Sequence, residues 1–513
     1  MPWRWIPKLE FRALRIGHST VSGIARTGRA WASFSRTTVA RTPHPRRRHQ
    51  CSGVVRPKKR QRWQMDPEKH GIRHSVFGLT LLASLAAIQL AAASDIESRV
   101  FEYDLKNGLH IIVYVDSSAP VATTSVWYKV GSYDEPLGHT GLSHMLEHMT
   151  FKHTDFYKPG QLDRIIDSAG GNNNGFTSTY LTCYYEDFAK DRYELAMKIE
   201  AARMGTCVFP DSEFASEHQV VSEERRLRDN HPAGELWEQF GATAQLVNPE
   251  RNPTIGWSDD VRNFTVEKVR EWYARHYNPA NALLVVAGDV RPDEVQANAE
   301  KHFGKLTGQP VSRPDHYNSE PKQNGERRIT IRKRVRVPSL ITGYQVPGIR
   351  DSAWYAGEVA GSILGGGETS RLHRKLVKEL GLATSVWSGS GVSRDPSLFQ
   401  VGVTPKAESL IPRIERVVQA EMDRAGTELA TERELQQVRN QVLAGQAFRR
   451  DNMFGISYWL ASSHILFGTW RQVIEYSERI NRVTAEQVRD YCAAWLKPDN
   501  RTTGILISAK EAK

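Results

Sequence analysis

Cysteine is scarce in this 513-residue chain, which contains only four. Three of them lie beyond residue 94, and no two are spaced as a C-x-x-C pair. An odd number without paired spacing argues against a scaffold held together by disulfides. The sequence leaves open one bridge in an oxidising compartment, between two of Cys183, Cys207 and Cys492.

Acidic residues are almost missing from the N-terminal part. Residues 1–64 hold 16 of the 69 Lys and Arg but only one of the 58 Asp and Glu. The remainder has 53 basic against 57 acidic residues, so the net charge of +11 comes from this basic leader. We therefore do not expect nucleic acid as a partner. The leader is either an organellar transit peptide or upstream sequence that precedes a true start at Met65.

Only one long uncharged apolar run occurs, the 18 residues 76–93. Lys69 and Arg73 precede it, and it ends in small residues before Asp95. This pattern predicts a secretory signal peptide over 65–94, with an uncleaved membrane anchor as the alternative. We expect an exported, periplasmic bacterial protein. A transit peptide would instead place the protein in the mitochondrial matrix.

The part after the leader, about 420 residues, is long enough for two or three domains. Within it, residues 264–288 align without gaps to residues 483–507, with seven identical positions. Each copy predicts a helix capped by Thr, a Pro-Asn turn and a strand. The repeat predicts two related domains, at 95–309 and 329–513, joined by the polar, proline-containing linker 310–328.

The stretch GLSHMLEHMTF at 141–151 carries chemistry. Read as a helix that Thr140 caps, it has one apolar face, formed by Leu142, Met145, Leu146 and Met149. His144, Glu147 and His148 share another face, in the pattern H-x-x-E-H. Two imidazoles one turn apart can bind one Zn²⁺ at about 2.0–2.1 Å, and the carboxylate between them can act as general base. The alternative is a surface helix with two histidines and a glutamate.

A zinc site of this kind needs a third protein ligand. The helix predicted over EFASEHQVVSEERRLRDN offers Glu217, His218, Glu223 and Glu224. Glu217 and Glu224 are seven residues apart and share a face, whereas Glu223 points about 100° away. The residues alone do not choose between them, because such a charged run is also typical of a solvated helix.

A strand is predicted over NNNGFTSTYLTCYYEDF, which follows Gly170 and Gly171. Placed at the edge of a sheet, it would accept a peptide substrate as an additional strand. A core strand with a glycine bulge is the alternative.

Taken together, these motifs resemble the pitrilysin/insulinase family of zinc metallopeptidases, in its short two-domain branch. HMLEH, GGNNNGFTS, EHQVVSEERRLRDN and GGGETSRLHRKL carry the resemblance, which runs over nearly all of 100–508. It implies an α+β fold of two homologous domains, each a mainly antiparallel sheet covered by helices on one side. It also implies two such units closing around a chamber that admits short unfolded peptides.

The resemblance implies roles for individual residues as well. In the family a glutamate about 76 residues after the second histidine is the third ligand, which here selects Glu224. One Zn²⁺ per chain is then held by His144, His148 and Glu224, with Glu147 as the catalytic base and Glu217 as the supporting glutamate. The edge strand that pairs with the substrate backbone corresponds to Asn174, Gly175, Phe176 and Thr177.

Two positions depart from the family pattern. An Arg and a Tyr that bind substrate and its oxyanion in the family are replaced by Val377 and Thr384. Neither side chain can make the hydrogen bonds that a developing oxyanion requires. We therefore expect a heterodimer in which a homologous subunit supplies the Arg/Tyr pair, with a homodimer as the alternative.

The expected function is a zinc-dependent endopeptidase acting on peptides. Two alternatives remain at this point: a subunit similar to the β-subunit of mitochondrial processing peptidase, and a non-catalytic peptide-binding or scaffold subunit. The intact H-x-x-E-H motif argues against the scaffold, and the missing Arg/Tyr pair argues for it.

Overall fold

The computed structural model describes residues 95–311, 320–450 and 452–509. The predicted leader and the predicted signal peptide or anchor lie outside these residues, as does the middle of the predicted linker. No helix in the described part of the chain combines the length and the apolar character needed to cross a membrane.

Two sheets form the framework of the molecule. The first has six strands in the spatial order β1-β2-β6-β3-β5-β4. Their bounds are β1 Val100–Asp104, β2 His110–Val115, β3 Val121–Tyr128, β4 Asn172–Thr177, β5 Thr182–Ala189 and β6 Ala282–Gly288. The second has five strands in the order β7-β11-β8-β10-β9. Their bounds are β7 Arg327–Lys333, β8 Ser339–Val346, β9 Ala383–Ser390, β10 Ser397–Pro405 and β11 Arg501–Ser508.

The duplication is visible in the strand pairing. In the first sheet β2 is parallel to β6, and all other pairs are antiparallel. In the second sheet β7 is parallel to β11, and the remaining pairs are likewise antiparallel. The order β2-β6-β3-β5-β4 therefore recurs as β7-β11-β8-β10-β9, and among the described strands only β1 has no counterpart. The predicted α+β fold with two related, mainly antiparallel sheets is confirmed.

Helices fill the connections in the same order in both halves. The first half contains α1 Leu142–Thr150, α2 Gln161–Ser168, α3 Tyr193–Gly205, α4 Asp211–Asn230, α5 Pro232–Ala244, α6 Ser258–Arg262, α7 Val266–His276 and α8 Pro292–Phe303. The second half contains α9 Ala353–Gly365, a π-helical segment His373–Glu379, α10 Ile411–Ala425, α11 Glu432–Arg449, α12 Met453–Phe467, α13 Gln472–Arg482 and α14 Ala485–Trp495.

The repeated helix–strand unit has the predicted caps. The hydroxyl of Thr265 accepts a hydrogen bond from the backbone N–H of Lys268 at the start of α7. The hydroxyl of Thr484 does the same for Gln487 at the start of α14. A short 3₁₀ turn with Pro at its first position then leads into β6 and into β11.

Each sheet is covered on its second face by a helix from the other half. Alternate residues of β6 face opposite sides, and every one of them is buried. Ala282, Leu284 and Val286 face the helices of the first half, whereas Leu283 and Val285 pack with residues of α12. Reciprocally, α5 packs on the second sheet, in a cluster of Leu236, Phe240, Ala244, Ile331, Ile341, Leu398 and Leu506.

Beyond the expected cover of helices on one side of each sheet, a helix of the other half covers the second side: α12 on the first sheet and α5 on the second. Cys183, Cys207 and Cys492 are all free, so the possible disulfide is not formed between them.

Candidate metal centre

A buried carboxylate, that of Glu135, binds the backbone at the start of helix α1. The two oxygens of Glu135 accept hydrogen bonds from the backbone N–H groups of Gly141 and Ser143, at 2.6 and 2.7 Å. Burial raises the pKa of Glu135 to about 8, although both hydrogen bonds oppose that rise. The prediction that Thr140 caps this helix is wrong, because the Thr140 hydroxyl accepts from the backbone N–H of Trp257, at 2.9 Å, and donates to Asp260, at 2.6 Å. The residue at the cap position is Gly141.

The start of α1 rests directly on a second backbone segment. Gly141 and Gly256 both have positive φ, 92° and 88°, which only glycine adopts at little cost. A Cβ on Gly256 would lie 2.1 Å from the carbonyl oxygen of Thr140, so no side chain fits there. The guanidinium of Arg225, on α4, donates to the Gly256 carbonyl at 2.9 Å. Backbone contact and Arg225 together fix α1 relative to α4.

His144, His148 and Glu224 meet between these two helices. One ligand atom from each lies within 4.8 Å of the other two. Glu224 Oε2 is 3.8 Å from His144 Nε2 and 3.6 Å from His148 Nε2. Two ligands bound to one tetrahedral ion at about 2.0–2.2 Å are themselves about 3.4 Å apart. Two imidazole nitrogens and a carboxylate oxygen at this spacing fit a zinc ion.

Glu217 orients one of the two imidazoles. Its Oε1 lies 2.9 Å from His148 Nδ1, and its Oε2 lies 2.5 Å from Lys152 Nζ. Burial raises the pKa of Glu217, but the hydrogen bonds from His148 and Lys152 bring the pKa below its usual value. The ionised carboxylate keeps the His148 proton on Nδ1, which leaves Nε2 as the nitrogen that faces Glu224.

The other imidazole is held in the neutral form. Burial lowers the pKa of His144 well below its usual range, and the charges of His148 and Arg228 lower it further. Because a metal ligand must be unprotonated, His144 is in the form that binds a metal.

Glu147 lies between the two histidines along α1 and contacts the edge of the first sheet. The Thr177 hydroxyl, at the end of β4, donates to Glu147 Oε2 at 2.7 Å. The carboxylate is buried. A general base in this position is therefore next to the strand predicted to bind substrate.

Two of the candidate ligands on α4 point elsewhere. Glu223 is exposed and pairs with Arg226 at 2.6 Å. His218 Nε2 lies 2.7 Å from the Val261 carbonyl oxygen. Both results follow from the helix rotation of about 100° per residue, which separates these side chains from the face of Glu217 and Glu224.

The strand β4 is the last of its sheet and pairs only with β5 among the described strands. Its register with β5 is regular, so the alternative of a core strand with a glycine bulge is wrong. The ring of Phe176 packs against Trp127 and Tyr458, with centroids 5.8 and 6.0 Å apart. The backbone of 174–177 remains at the sheet edge, and its role in substrate binding stays a prediction.

The two positions that depart from the family pattern lie in the second half. Val377 is in the π-helical segment and packs partly buried against the second core. Thr384, on β9, is exposed, and its hydroxyl donates to the Thr404 carbonyl at 3.3 Å. Neither presents a guanidinium or a phenol.

Some supporting contacts have no signature in the sequence. The spacing of Glu135, Lys152 and Arg225 does not mark them as supporting residues, although Arg225 lies within EHQVVSEERRLRDN. Lys152 and Arg225 act on residues far away in the chain, and Glu135 acts on the start of α1. The only indication in the sequence is the charge of Arg225, which lies in a run of charged residues that is also typical of a solvated helix.

Comparison with known proteins agrees with this arrangement. Residues 111–256 match the model of the Insulinase family (Peptidase family M16), and residues 263–442 match the Peptidase M16 inactive domain. A "Zinc protease PqqE" of Helicobacter pylori is 34% identical over 370 residues, 68% of this chain and 83% of that protein. An "Uncharacterized zinc protease" of Rickettsia felis is 27% identical over 385 residues, 75% of this chain and 92% of that protein.

Solved structures of related proteins share the fold of this chain. The crystal structure of a protease from Helicobacter pylori is 28% identical, with a TM-score of 0.75, and the match covers 80% of this chain and 99% of that one. The Peptidase M16 inactive domain from Pseudomonas fluorescens, 16% identical, shares the fold with a TM-score of 0.72. The molecule is thus a two-domain protein of the metalloprotease type. The chain belongs to the insulinase family, peptidase family M16.

Proposed function

We propose that this chain is a zinc-dependent endopeptidase that cleaves short unfolded peptides. The observation that carries the proposal is the convergence of His144, His148 and Glu224 within 4.8 Å, with Glu147 on the same helix. The names of the relatives, which are zinc proteases, support the choice of metal.

A zinc ion held by His144, His148 and Glu224 would supply Lewis-acid chemistry, lowering the pKa of a water to about 7 and polarising a carbonyl. Glu147 takes a proton from the attacking water and later gives one to the departing amine. Thr177 holds the Glu147 carboxylate toward β4. Glu147 therefore lies beside β4, the strand that is proposed to bind the substrate backbone.

The substrate backbone is proposed to add to the outer edge of β4, at Asn174 to Thr177. Main-chain hydrogen bonds bind an extended peptide at such an edge with little regard to side chains. The backbone of a folded protein is largely paired within its own structure, whereas an unfolded peptide can add along this edge. The edge strand and the chamber that the family resemblance implies together support short, unfolded peptides as the proposed substrate class.

We further propose that the chain is the metal-bearing subunit of a heterodimer. Val377 and Thr384 leave it without the Arg and Tyr that serve the oxyanion in the family. A homologous partner would supply them. The same observation favours a second candidate, a non-catalytic peptide-binding subunit, and a homodimer remains the alternative assembly.

Export to the periplasm is proposed from residues 65–94, either as a cleaved signal peptide or as a retained anchor. A mitochondrial location would follow instead if residues 1–64 act as a transit peptide. Fractionation of cells expressing the full chain, with N-terminal sequencing of the product, distinguishes the three.

The test of the activity is hydrolysis of an unstructured, fluorescence-quenched peptide by the zinc-loaded full chain. We expect Glu147→Gln to keep its zinc and to lose at least about 100-fold in turnover, since general-base catalysis contributes about that much or more. Glu223→Gln, an identical change on an exposed carboxylate, serves as the control and keeps full activity.

The outcomes separate the candidates. Turnover by the purified chain alone contradicts the divided heterodimer. Bound zinc without turnover, followed by activity when the homologous subunit is added, supports it. Bound zinc without turnover in either condition favours the non-catalytic subunit, and a chain that binds no zinc at 144–148 contradicts the enzyme altogether.

A further inference from the structure

A second cluster of metal-binding side chains lies away from Glu147, where the first sheet meets α12. It consists of Glu102 on β1, His110 on β2 and His464 in the last turn of α12. One ligand atom from each lies within 4.8 Å of the other two. Strands of one half and a helix of the other contribute to it.

His110 is oriented as a metal ligand usually is. Its Nδ1 lies 2.7 Å from the carboxylate of Asp104, and its Nε2 lies 3.4 Å from Glu102 Oε2. His148 is held in the same way, with Nδ1 on Glu217 and Nε2 toward Glu224. A carboxylate on one ring nitrogen fixes the tautomer, so that the other nitrogen is free to bind a metal.

Both imidazoles keep a nitrogen without a hydrogen bond. His110 Nε2 and His464 Nδ1 are buried and have no hydrogen-bond partner within the described residues. Leaving such an atom unsatisfied is destabilising, so buried polar atoms without partners are usually satisfied by an ion or a water. The unsatisfied nitrogens of His110 and His464 therefore indicate that a ligand binds at this cluster.

The charges around the cluster permit a cation. Arg471 binds Glu102 through Oε1 at 3.1 Å, which leaves Oε2 toward His110. Lys129 is the other cation that faces the cluster, and Asp104 is the second carboxylate. Two carboxylates balance two basic side chains, so a bound divalent ion meets no excess of positive charge.

The two rings are closer to parallel than those of the first cluster. The His110 and His464 centroids are 4.5 Å apart at 19°, whereas those of His144 and His148 are 4.7 Å apart at 70°. Because Asp104 holds the His110 ring, shared coordination requires the His464 ring to turn about χ2, a torsion with a broad range in histidine.

We propose that Glu102, His110 and His464 bind a second zinc ion, which ties the end of α12 to the β1–β2 hairpin. Two imidazoles and a carboxylate form a donor set suited to zinc. Since α12 belongs to the second half but covers the first sheet, this ion stabilises the exchange of helices between the halves. The site goes beyond the proposed peptidase reaction and does not depend on it.

The experiment is a zinc count on the full chain, stripped with a chelator and dialysed against Zn²⁺, with elemental analysis by mass spectrometry. We expect two zinc ions per chain. His464→Gln and Glu102→Gln should each retain one, and His144→Gln/His148→Gln should also retain one. His302→Gln is the matched control, because this histidine likewise contacts one carboxylate, Glu194, at 3.0 Å, and it should retain two.

A wild-type count of one that falls to zero in His144→Gln/His148→Gln overturns the second site and leaves the peptidase proposal intact. A count that His464→Gln and Glu102→Gln leave unchanged also overturns it. If His464→Gln does not fold, the zinc count of Glu102→Gln provides the test. Glu102 is exposed, so its substitution should leave folding unaffected.

A spectroscopic measurement in the His144→Gln/His148→Gln background isolates the second site. Added Co²⁺ should give the visible absorption of a tetrahedral complex, and Zn²⁺ should raise the melting temperature. Both effects should disappear when Glu102→Gln is added. Persistence of both effects in that triple variant contradicts the proposed ligands.

Discussion

The two halves share a topology but use the helix after the second repeated strand differently. In the first half, α1 follows β3 and carries His144, Glu147 and His148. In the second half, α9 follows β8 and packs tightly on the edge strand β9. A Cβ on Gly361 would lie 2.8 Å from Gly389 Cα, and one on Gly365 would lie 2.3 Å from Ser388 N. There is no space for imidazole side chains between α9 and β9.

The contact with the fourth helix differs as well. In the first half, α1 and α4 approach each other through His144, His148 and Glu224 and through the contact of Glu217 with His148. In the second half, Arg371, which directly precedes the π-helical segment, makes a two-pronged salt bridge to Glu434 on α11, at 2.7 and 2.9 Å. Both halves thus have a polar contact with their fourth helix, but the chemistry differs. In the first half the contact consists of candidate metal ligands, and in the second half it is the ion pair of Arg371 with Glu434.

The largest effect is expected at the third ligand. Glu224→Gln should lose more zinc affinity than the about 100-fold cost of removing a supporting carboxylate, together with peptidase activity. Zinc titration against a competing chelator measures this. Glu223→Gln, one residue away and exposed, should bind zinc like the wild type. Equal losses in both variants would contradict the assignment of Glu224.

The exchange of helices predicts that a cavity made in one half weakens the other. Phe240 lies on α5 of the first half and is 1% exposed against the second sheet. Phe240→Ala should lower the free energy of unfolding by about 3–5 kcal/mol, in a single transition measured by denaturant. Leu227→Ala, at a side chain 59% exposed, should change it by less than about 0.5 kcal/mol. Two separate transitions, with the first sheet unaffected, would argue against interlocked halves.

The supporting carboxylates sharpen the contrast between the halves. Glu217→Gln should weaken zinc binding by about 10–100-fold, because a neutral amide oxygen holds the proton on His148 Nδ1 less strongly than the carboxylate does. Glu434→Gln makes the same change in the second half and should leave zinc affinity as it is. Competition titrations of the two variants side by side provide the measurement. An unchanged affinity in Glu217→Gln would remove its supporting role.

The tight contact of α9 predicts an asymmetry between two glycines in helices. Gly361→Ala should destabilise the protein by about 1–3 kcal/mol, because the added Cβ meets the backbone of β9. Gly445→Ala, on α11, has nothing within 4 Å of its Cβ and should stabilise by about 0.5–1 kcal/mol. Thermal and denaturant unfolding of both variants check the signs. Stabilisation by Gly361→Ala would show that α9 has room for side chains.

The smallest effect concerns pH and the second half. Burial raises the pKa of Glu434, but hydrogen bonds from Arg371 and Thr431 bring the pKa down to about 2. A carboxyl with a lowered pKa in the folded state contributes stability above its usual pKa, and this is lost as pH falls toward 2. Glu434→Gln should cost about 1 kcal/mol at pH 7. Urea unfolding should show that cost shrinking below pH 4.5, and a cost independent of pH would exclude the ionised pair as its source.

Much of the fold follows from local patterns. The caps at Thr265 and Thr484, the Pro-containing turns and strands that follow them, and the relation between the two halves agree with the repeated segments of the sequence. The predicted cap at Thr140 is wrong. The backbone N–H groups at the start of α1 are bound instead by the carboxylate of Glu135, which comes from the preceding turn. Local propensity cannot reveal such a competitor, because its reach depends on how the turn is packed.

By itself, the sequence determined which residues of α1 share a face, because helical spacing sets their directions without reference to the rest of the chain. It also determined the duplication. Only the tertiary structure decided that Glu224 meets both histidines, that Glu217 and Lys152 support them, and that α5 and α12 are exchanged. Those contacts join residues far apart in the chain, and their distances follow from the packing of two sheets rather than from any period in the sequence.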